Sequence, residues 1–266
     1  MLPTYTFAFS LPIWRLLYDT IPVEGTTSLI AIELRNKSKV EWAVVNLETD
    51  SILWQKPMTD TNWWTSLIGF YSGILLFHTY AGNEQPAPKS LLAIDAQTGV
   101  LLWKSEGYIF SATDGHLLKT TQTHSDLQVS ISNKNLREGT ISTASAIQLP
   151  ETAAFWHFPT EHTEGSQYYS VITQFLQKII GKTAQKAINY GEIDGRILFF
   201  QYLYHANATA LSRSILVVNT KKTVLHHETL ETDVTSTAFG ESFYSEHHLV
   251  YLKNLQELVV IKLPKP

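Results

Sequence analysis

The chain has 266 residues, 44% of them hydrophobic and 17% charged, a balance that suits a well-buried globule and excludes a disordered chain. The net charge is −4 and no basic run stands out, which argues against nucleic-acid binding. Cysteine is absent, so disulfides, thiolate metal sites, iron–sulfur clusters and a cysteine nucleophile are excluded, while 12% aromatic residues suit sheet surfaces and inter-sheet cores.

From the N-terminus, TYTFAFSLP (4–12) reads as a lone strand. The N-terminal stretch 1–20 has no basic run ahead of its apolar residues, is broken by Pro12 and interrupted by Arg15, and so resembles neither a signal peptide nor a membrane helix. No apolar run elsewhere approaches the ~20 residues of a spanning helix, and the expectation is a cytoplasmic protein without a membrane span. Two strands follow, IWRLLYD (13–19) and SLIAIELRN (28–36), and then VVNLETDSILW (44–54), two apolar runs folded about a polar turn and closed by Trp54. The succession returns as WTSLIGFYS (64–72), GILLFHTY (73–80) and AIDAQTGVLLW (93–103). A third round offers YIFSATD (108–114), HLLKTTQ (116–122) and AIQLPETAAFW (146–156), with a link at 123–142 able to hold a further hairpin.

The stretch 159–187 is extra length. Its apolar residues at 168, 171, 172, 175, 176, 179 and 180 have helical spacing and Gly181 follows as a stop, so a helix is expected over 167–181, packed by its apolar face. The fourth round is INYGEID (188–194), RILFFQYLYH (196–205) and VVNTKKTVLHH (217–227). Three strands close the chain: VTSTAFGESF (234–243), HHLVYLKN (247–254) and ELVVIKL (257–263).

Each hairpin opens on a side chain able to accept backbone amides of the turn, Asn46, Asp95, Gln148 or Asn219. Gly99 supplies the positive φ of a tight turn, and the residues that stand in its place elsewhere, Asp50, Thr152 and Thr223, predict turns of another type. The closing residues Trp54, Trp103, Trp156 and His227 fall 49, 53 and 71 positions apart. A strand-rich unit of this length predicts an all-β fold, a five-bladed β-propeller occupying 1–266 as a single domain. Its blades would run 13–57, 64–107, 108–158, 188–228 and 234–263, the last completed by the strand at 4–12, so that N- and C-terminal strands close one blade and leave no open seam.

Ala93, Asp95, Thr98, Gly99 and Trp103 form the pattern A-x-D-x-x-T-G-x-x-x-W, which resembles the blade signature of quinoprotein-type propellers. With the strand pattern, the resemblance covers most of the chain. That superfamily includes pyrroloquinoline-quinone dehydrogenases as well as non-enzymatic scaffolds. The dehydrogenases are larger, eight-bladed and exported, with a calcium-associated catalytic Asp and usually an adjacent cysteine pair. This chain departs on the cysteines and the size, so no catalytic residue carries over and no cofactor is expected. Small size and IWRLLYD…LIAIELRN also resemble an uncharacterised family of small single-domain bacterial propellers.

The entries to three inner strands carry Trp14 with Arg15, Trp63 with Trp64, and Tyr108 with Phe110. On one face of a ring these could form a pocket for a small ligand or another protein, by stacking and hydrogen bonding; the alternative is that they plug the ring as core. Asp19, Asp114, Glu192, Asp194 and Glu241 lie near the exits of inner strands, where acids commonly cap turns. Paired in a channel they could hydrolyse a glycosidic bond, the reading of a carbohydrate-active hydrolase. No metal site is expected: His226–His227 and His247–His248 are strand neighbours and point to opposite faces, and nothing fixes Glu161, His162 and Glu164 in a loop. The reading is a monomeric, non-enzymatic interaction or ligand-binding propeller.

Overall fold

A computed structural model describes residues 2–59, 61–82, 87–123, 129–144, 147, 155–204, 211–234 and 242–264. They fall into two compact units, a central one of residues 11–154 and a terminal one of residues 1–10 with 155–266. The chain is nearly all-β, and among the described residues its strands form five antiparallel sheets of four or five strands, with a single helix.

The terminal unit opens with β1 (Thr4–Ala8). The central unit holds three meanders of four strands. The first is β2 (Ile13–Tyr18), β3 (Leu29–Arg35), β4 (Val40–Asn46) and β5 (Ser51–Lys56), in sheet order. The second is β6 (Thr65–Tyr71), β7 (Ile74–Tyr80), β8 (Pro88–Asp95) and β9 (Leu101–Glu106). The third is β10 (Tyr108–Thr113), β11 (Leu117–Thr123), β12 (Val129–Asn135) and β13 (Ile141–Ser142).

Alternation along a strand explains why β7 and β8 each carry four successive apolar residues, at 74–77 and 91–94. Successive side chains face opposite sides of the sheet, and both sides of this sheet are covered. Leu75, Phe77, Leu92 and Ile94 meet Ala31, Trp42 and Val44 of the first sheet. Their neighbours Ile74, Leu76, Leu91 and Ala93 meet Leu118 and Leu136 of the third. The outer strand β5 keeps all six of its residues partly or fully accessible.

The repeated hairpin has a structural purpose. Asp95 Oδ1 accepts the amides of Gln97 and Thr98 at 3.1 and 3.0 Å, and Gly99 N–H closes the turn on the Asp95 carbonyl at 2.8 Å. The Trp that ends one sheet docks on the corresponding turn of the next. Trp54 Nε1 donates to the Ala96 carbonyl at 2.8 Å, and Trp103 Nε1 to that of Leu136 at 2.9 Å. Both rings lie where a Cβ on the turn glycine would be, within 2.9 Å at Gly99 and 2.5 Å at Gly139. The signature thus joins sheet to sheet as well as strand to strand.

That geometry relocates the third copy. The turn in the third sheet is Asn135-Leu-Arg-Glu-Gly139, inside the link 123–142. Asn135 Oδ1 accepts the amides of Arg137 and Glu138 at 2.9 Å, and Gly139 N–H closes on the Asn135 carbonyl at 2.9 Å. Of the hairpin expected at 146–156, residues 146 and 148–154 lie outside the described ones, Gln148 and Thr152 included. Trp156 is buried in the terminal unit against Phe243, ring centroids 4.9 Å apart. The first turn also differs from expectation: Asp50 has φ +53°, close to the +65° of Gly99, because Asp tolerates the left-handed region.

The terminal unit has two sheets. β14 (Thr160–Thr163), β15 (Ala184–Ile193), β16 (Arg196–Tyr204), β17 (Leu211–Asn219) and β18 (Val224–Val234) form the larger. Polar TEHT gave no sign of β14, which pairs Thr160–Thr163 with Tyr190–Ala187. The helix α1 (Tyr169–Ile180) lies between β14 and β15 in sequence and ends at Gly181, φ +69°, whose N–H bonds to the Gln177 carbonyl at 3.0 Å. Its buried Ile172 and Leu176 pack on Ile188, Phe199, Leu216 and Val218, one face of this sheet. The other face, Leu198, Phe200, Ile215 and Val217, packs on the second sheet. That sheet is β19 (Ser242–Tyr244), β20 (His248–Lys253) and β21 (Glu257–Lys262), completed by β1, with Thr4 opposite Ile261 and Ala8 opposite Glu257.

Candidate functional site

In the central unit the first strand of each sheet carries a bulge, at Trp14 in β2, Ile68 in β6 and Ser111 in β10, where the pairing skips one residue. A bulge turns a side chain out of the regular pleat, and Trp14 is 63% exposed. Next to it, the Arg15 guanidinium donates to the Leu67 carbonyl of β6. Trp64 is 37% exposed, and Trp63 meets it edge to face at 4.9 Å. The Trp63 indole donates to the Asn36 carbonyl at 2.7 Å, beneath the Arg35 guanidinium at 4.8 Å.

Arg35 and Glu33 were not singled out in the sequence, yet they fix this corner. Glu33 is fully buried and pairs with Arg35 at 2.8 Å, while its other oxygen accepts the Leu67 amide at 2.8 Å. Arg35 in turn donates to the carbonyls of Trp63 at 2.5 Å and Thr65 at 2.6 Å. The sequence signal was a Glu-x-Arg embedded in an otherwise apolar strand, a charge pair with no solvent face. At the third strand, the Lys134 ammonium sits 3.9 Å over Tyr108 and donates to Ser105, and burial lowers its pKa. Phe110 packs on Tyr71 at 5.5 Å, and its amide donates to His78 Nε2 at 3.1 Å. Burial lowers the His78 pKa to about 4, so the ring is neutral at physiological pH and Nε2 is free to accept.

These contacts sort the six candidate residues. Arg15, Trp63, Tyr108 and Phe110 all bind a neighbouring strand or sheet, whereas Trp14 and Trp64 present indole rings to solvent.

Two of the candidate acids, Asp19 and Asp114, have structural partners. Asp19 is 3% exposed and accepts four hydrogen bonds: from Ile21 and Ser72 amides on Oδ1, at 3.1 and 2.8 Å, and from the Thr26 hydroxyl and Gly73 amide on Oδ2, both at 2.7 Å. It clasps the end of β2 to the β6–β7 turn. Asp114 Oδ1 accepts the amides of His116 and Leu117 at 2.9 and 2.7 Å, an Asx turn between β10 and β11. Glu192 is exposed on β15, and Asp194, φ +46°, forms with Gly195 the two-residue turn to β16. Glu241 lies outside the described residues.

Among the described residues no three His, Asp or Glu side chains gather as a metal site. Glu164 Oε1 accepts the Lys186 amide at 2.7 Å. His226 instead joins a buried-edge network: Tyr251 donates to Glu228 at 2.7 Å, Lys253 lies 2.5 Å from the same carboxylate, and His226 Nε2 is 3.3 Å from the Tyr251 hydroxyl. Burial opposes ionisation of Glu228, but bonds from Lys253 and Tyr251 outweigh it and lower its pKa.

The terminal unit also contains a cavity of about 520 Å³ between α1 and its sheet. Tyr168, Val171, Ile172 and Phe175 form the helix wall, Tyr190, Ile197 and Phe199 the sheet wall, and Thr160 and His162 of β14 one end. His162 stands edge-on to Tyr168 at 5.8 Å and to Tyr190 at 6.2 Å; Phe199 contacts Tyr190 at 5.6 Å and Phe175 at 5.5 Å. Sequence reasoning missed this site because it needs β14, and His162 was weighed there only as a metal ligand.

Residues 23–103 match the family model of a domain of unknown function (DUF4905). No curated protein matches the chain. Solved structures similar to it include a eukaryotic initiation factor at 13% identity and TM-score 0.34, over 93% of this chain and 50% of that one. The chain thus spans half the length of that factor. It is also similar to the β-propeller domain of Swd1 from Myceliophteria thermophila at 7% identity and TM-score 0.33, over 97% of this chain and 99% of that one. The Dos1 propeller is similar at 11% identity and TM-score 0.32, over 94% of this chain and 60% of that one. Among the described residues no helix is long and apolar enough to cross a membrane.

Proposed function

We propose that the chain is a non-enzymatic, five-bladed β-propeller of quinoprotein type that binds another protein through the inner-strand entries of its first two blades. Support for the blade count is the run of five antiparallel sheets, the fifth completed by pairing β1 with β21. The docked Trp54 and Trp103 support the quinoprotein resemblance, since each locks one sheet to the turn of the next.

The observation that carries the binding role is the exposure of two indoles, Trp14 and Trp64, beside strand entries otherwise tied down by Glu33, Arg35 and Arg15. Large amphipathic rings held on a rigid frame are typical anchors of protein interfaces. Asp19 and Asp114, engaged with backbone amides, give the hydrolase reading no support.

Affinity purification from the native cell tests the proposal, with wild type compared against a Trp14→Ala/Trp64→Ala double variant. A defined partner whose recovery falls at least tenfold in the double variant is the expected result. A partner recovered equally well by both would refute this binding face. Trp64 is 37% exposed and packs on Trp63, so recoveries are compared at a temperature where thermal unfolding shows both proteins fully folded.

A further inference from the structure

We propose that the cavity under α1 is a binding site for an uncharged, flat aromatic small molecule carrying one hydrogen-bonding group. The volume of about 520 Å³ falls within the range that holds a single small ligand and is too small to seat a peptide helix, whose diameter is about 10 Å. The walls define the chemistry. Tyr190, Phe199 and Phe175 form a continuous row of rings, each within 5.6 Å of the next, and Tyr168 with His162 turns the corner. Such a row favours a planar ring system through offset or edge contacts.

Among the described residues the lining holds no Lys, Arg, Asp or Glu. A charged ligand would therefore lose its hydration without a compensating partner, which selects against it. At one end, His162 and the Thr160 hydroxyl offer the polar contacts able to orient a ligand in an otherwise apolar recess. The helix holds its wall in place because Ile172 and Leu176 anchor it to the sheet, leaving Val171, 62% exposed, and Tyr168, 58% exposed, at the rim.

The probe for the test is N-phenyl-1-naphthylamine, an uncharged diaryl amine with one N–H whose fluorescence rises in apolar surroundings. Wild type should bind it saturably at one site per chain. Val171→Glu, which places a charge on the wall at an already exposed position, should weaken binding at least tenfold. Val129→Glu, a change of the same kind at a position 63% exposed in the central unit, should leave binding within twofold of wild type. The sulfonated analogue 8-anilinonaphthalene-1-sulfonate should bind at least tenfold more weakly than the neutral probe. Circular dichroism of both variants should match wild type. Absence of saturable binding, equal binding by Val171→Glu, or equal affinity for the sulfonate would each overturn the proposal. None of these outcomes bears on Trp14 and Trp64, so the interaction reading is tested separately.

Discussion

Replacing Asp19 with Asn should be among the most damaging conservative changes in this chain. Asn preserves the shape but turns one carboxylate oxygen into an NH2 group. In the native structure both oxygens face donors: amides of Ile21 and Ser72 on one, the Thr26 hydroxyl and the Gly73 amide on the other. With the NH2 toward Ile21 and Ser72, two bonds disappear and two donors meet a donor. Turned the other way the NH2 faces the Gly73 amide, while the Thr26 hydroxyl can turn to the Val23 carbonyl, 3.0 Å away, and accept from the NH2, so at least one buried amide loses its partner. A hydrogen bond to a charged acceptor contributes about 1.5–3 kcal/mol, and a buried donor left without a partner costs about 1–3 kcal/mol. Some of this is offset because a neutral amide is cheaper to bury than a carboxylate. The expected loss is about 3–5 kcal/mol, read from urea unfolding at neutral pH with linear extrapolation. Thr26→Val should cost less in the Asp19→Asn variant than in wild type, because the hydroxyl there meets a neutral amide instead of a carboxylate, so the double variant should be less destabilised than the sum by about 1 kcal/mol. A loss below about 1 kcal/mol for Asp19→Asn would refute the clasp.

Three further substitutions, with Gly165→Ala as a control, probe other joints. Glu33→Gln should cost about 3 kcal/mol in the same assay, because it leaves the buried Arg35 guanidinium without its counter-charge; a change under about 1 kcal/mol would count against the pair. Gly139→Ala should cost about 2–3 kcal/mol, since φ is +70° and the new methyl would lie 2.5 Å from the Trp103 ring. Gly165→Ala, at φ +91° but in open space, bears only the backbone cost of about 1 kcal/mol, and equal losses at the two sites would show that the docked Trp103 is irrelevant. His78 gives a pH signature. Above the ordinary value of 6.5 the ring is neutral in both states; as pH falls toward the folded value of about 4, the unfolded chain takes up the proton first and stability is lost. His78→Gln keeps an acceptor for the Phe110 amide but cannot titrate. It should therefore lose about 1–2 kcal/mol less than wild type between pH 7 and pH 5, and parallel pH profiles would contradict this assignment.

Much of the strand order was legible because period-2 apolar runs and turn residues are local signals. β7 and β8 announce themselves through unbroken apolar stretches, α1 through its 3.6-residue spacing and Gly181. The third hairpin was misplaced for a physical reason. Its strands, VSISNKN and IS, are polar and partly exposed, so hydrophobicity pointed instead to the more apolar 146–156. What marks the turn is Asn135 capping its amides and Gly139 making room for Trp103, and in sequence those are two ordinary residues four apart. β14 was hidden for a related reason, since a polar edge strand draws its pairing from partners 24 to 30 residues later rather than from its own composition.

The candidate sites were harder to read because a polar or aromatic residue on an inner strand has the same sequence appearance whether it binds a ligand or another strand. Asp19 and Arg15 illustrate the point. Both are polar groups among apolar neighbours; Arg15 gives a hydrogen bond to the backbone of β6, and Asp19 takes two of its four from the turn that follows β6. A meander whose neighbouring sheets share few backbone bonds must be joined by side chains, and Asp19, Arg15, Arg35, Trp54, Trp103 and His78 supply those joints. The chemistry left over is therefore found by subtraction. Exposed Trp14 and Trp64 remain in the central unit, and the ring-lined recess under α1 remains in the terminal one, where no sheet-to-sheet joint uses the faces of Tyr168 and Val171 that reach solvent.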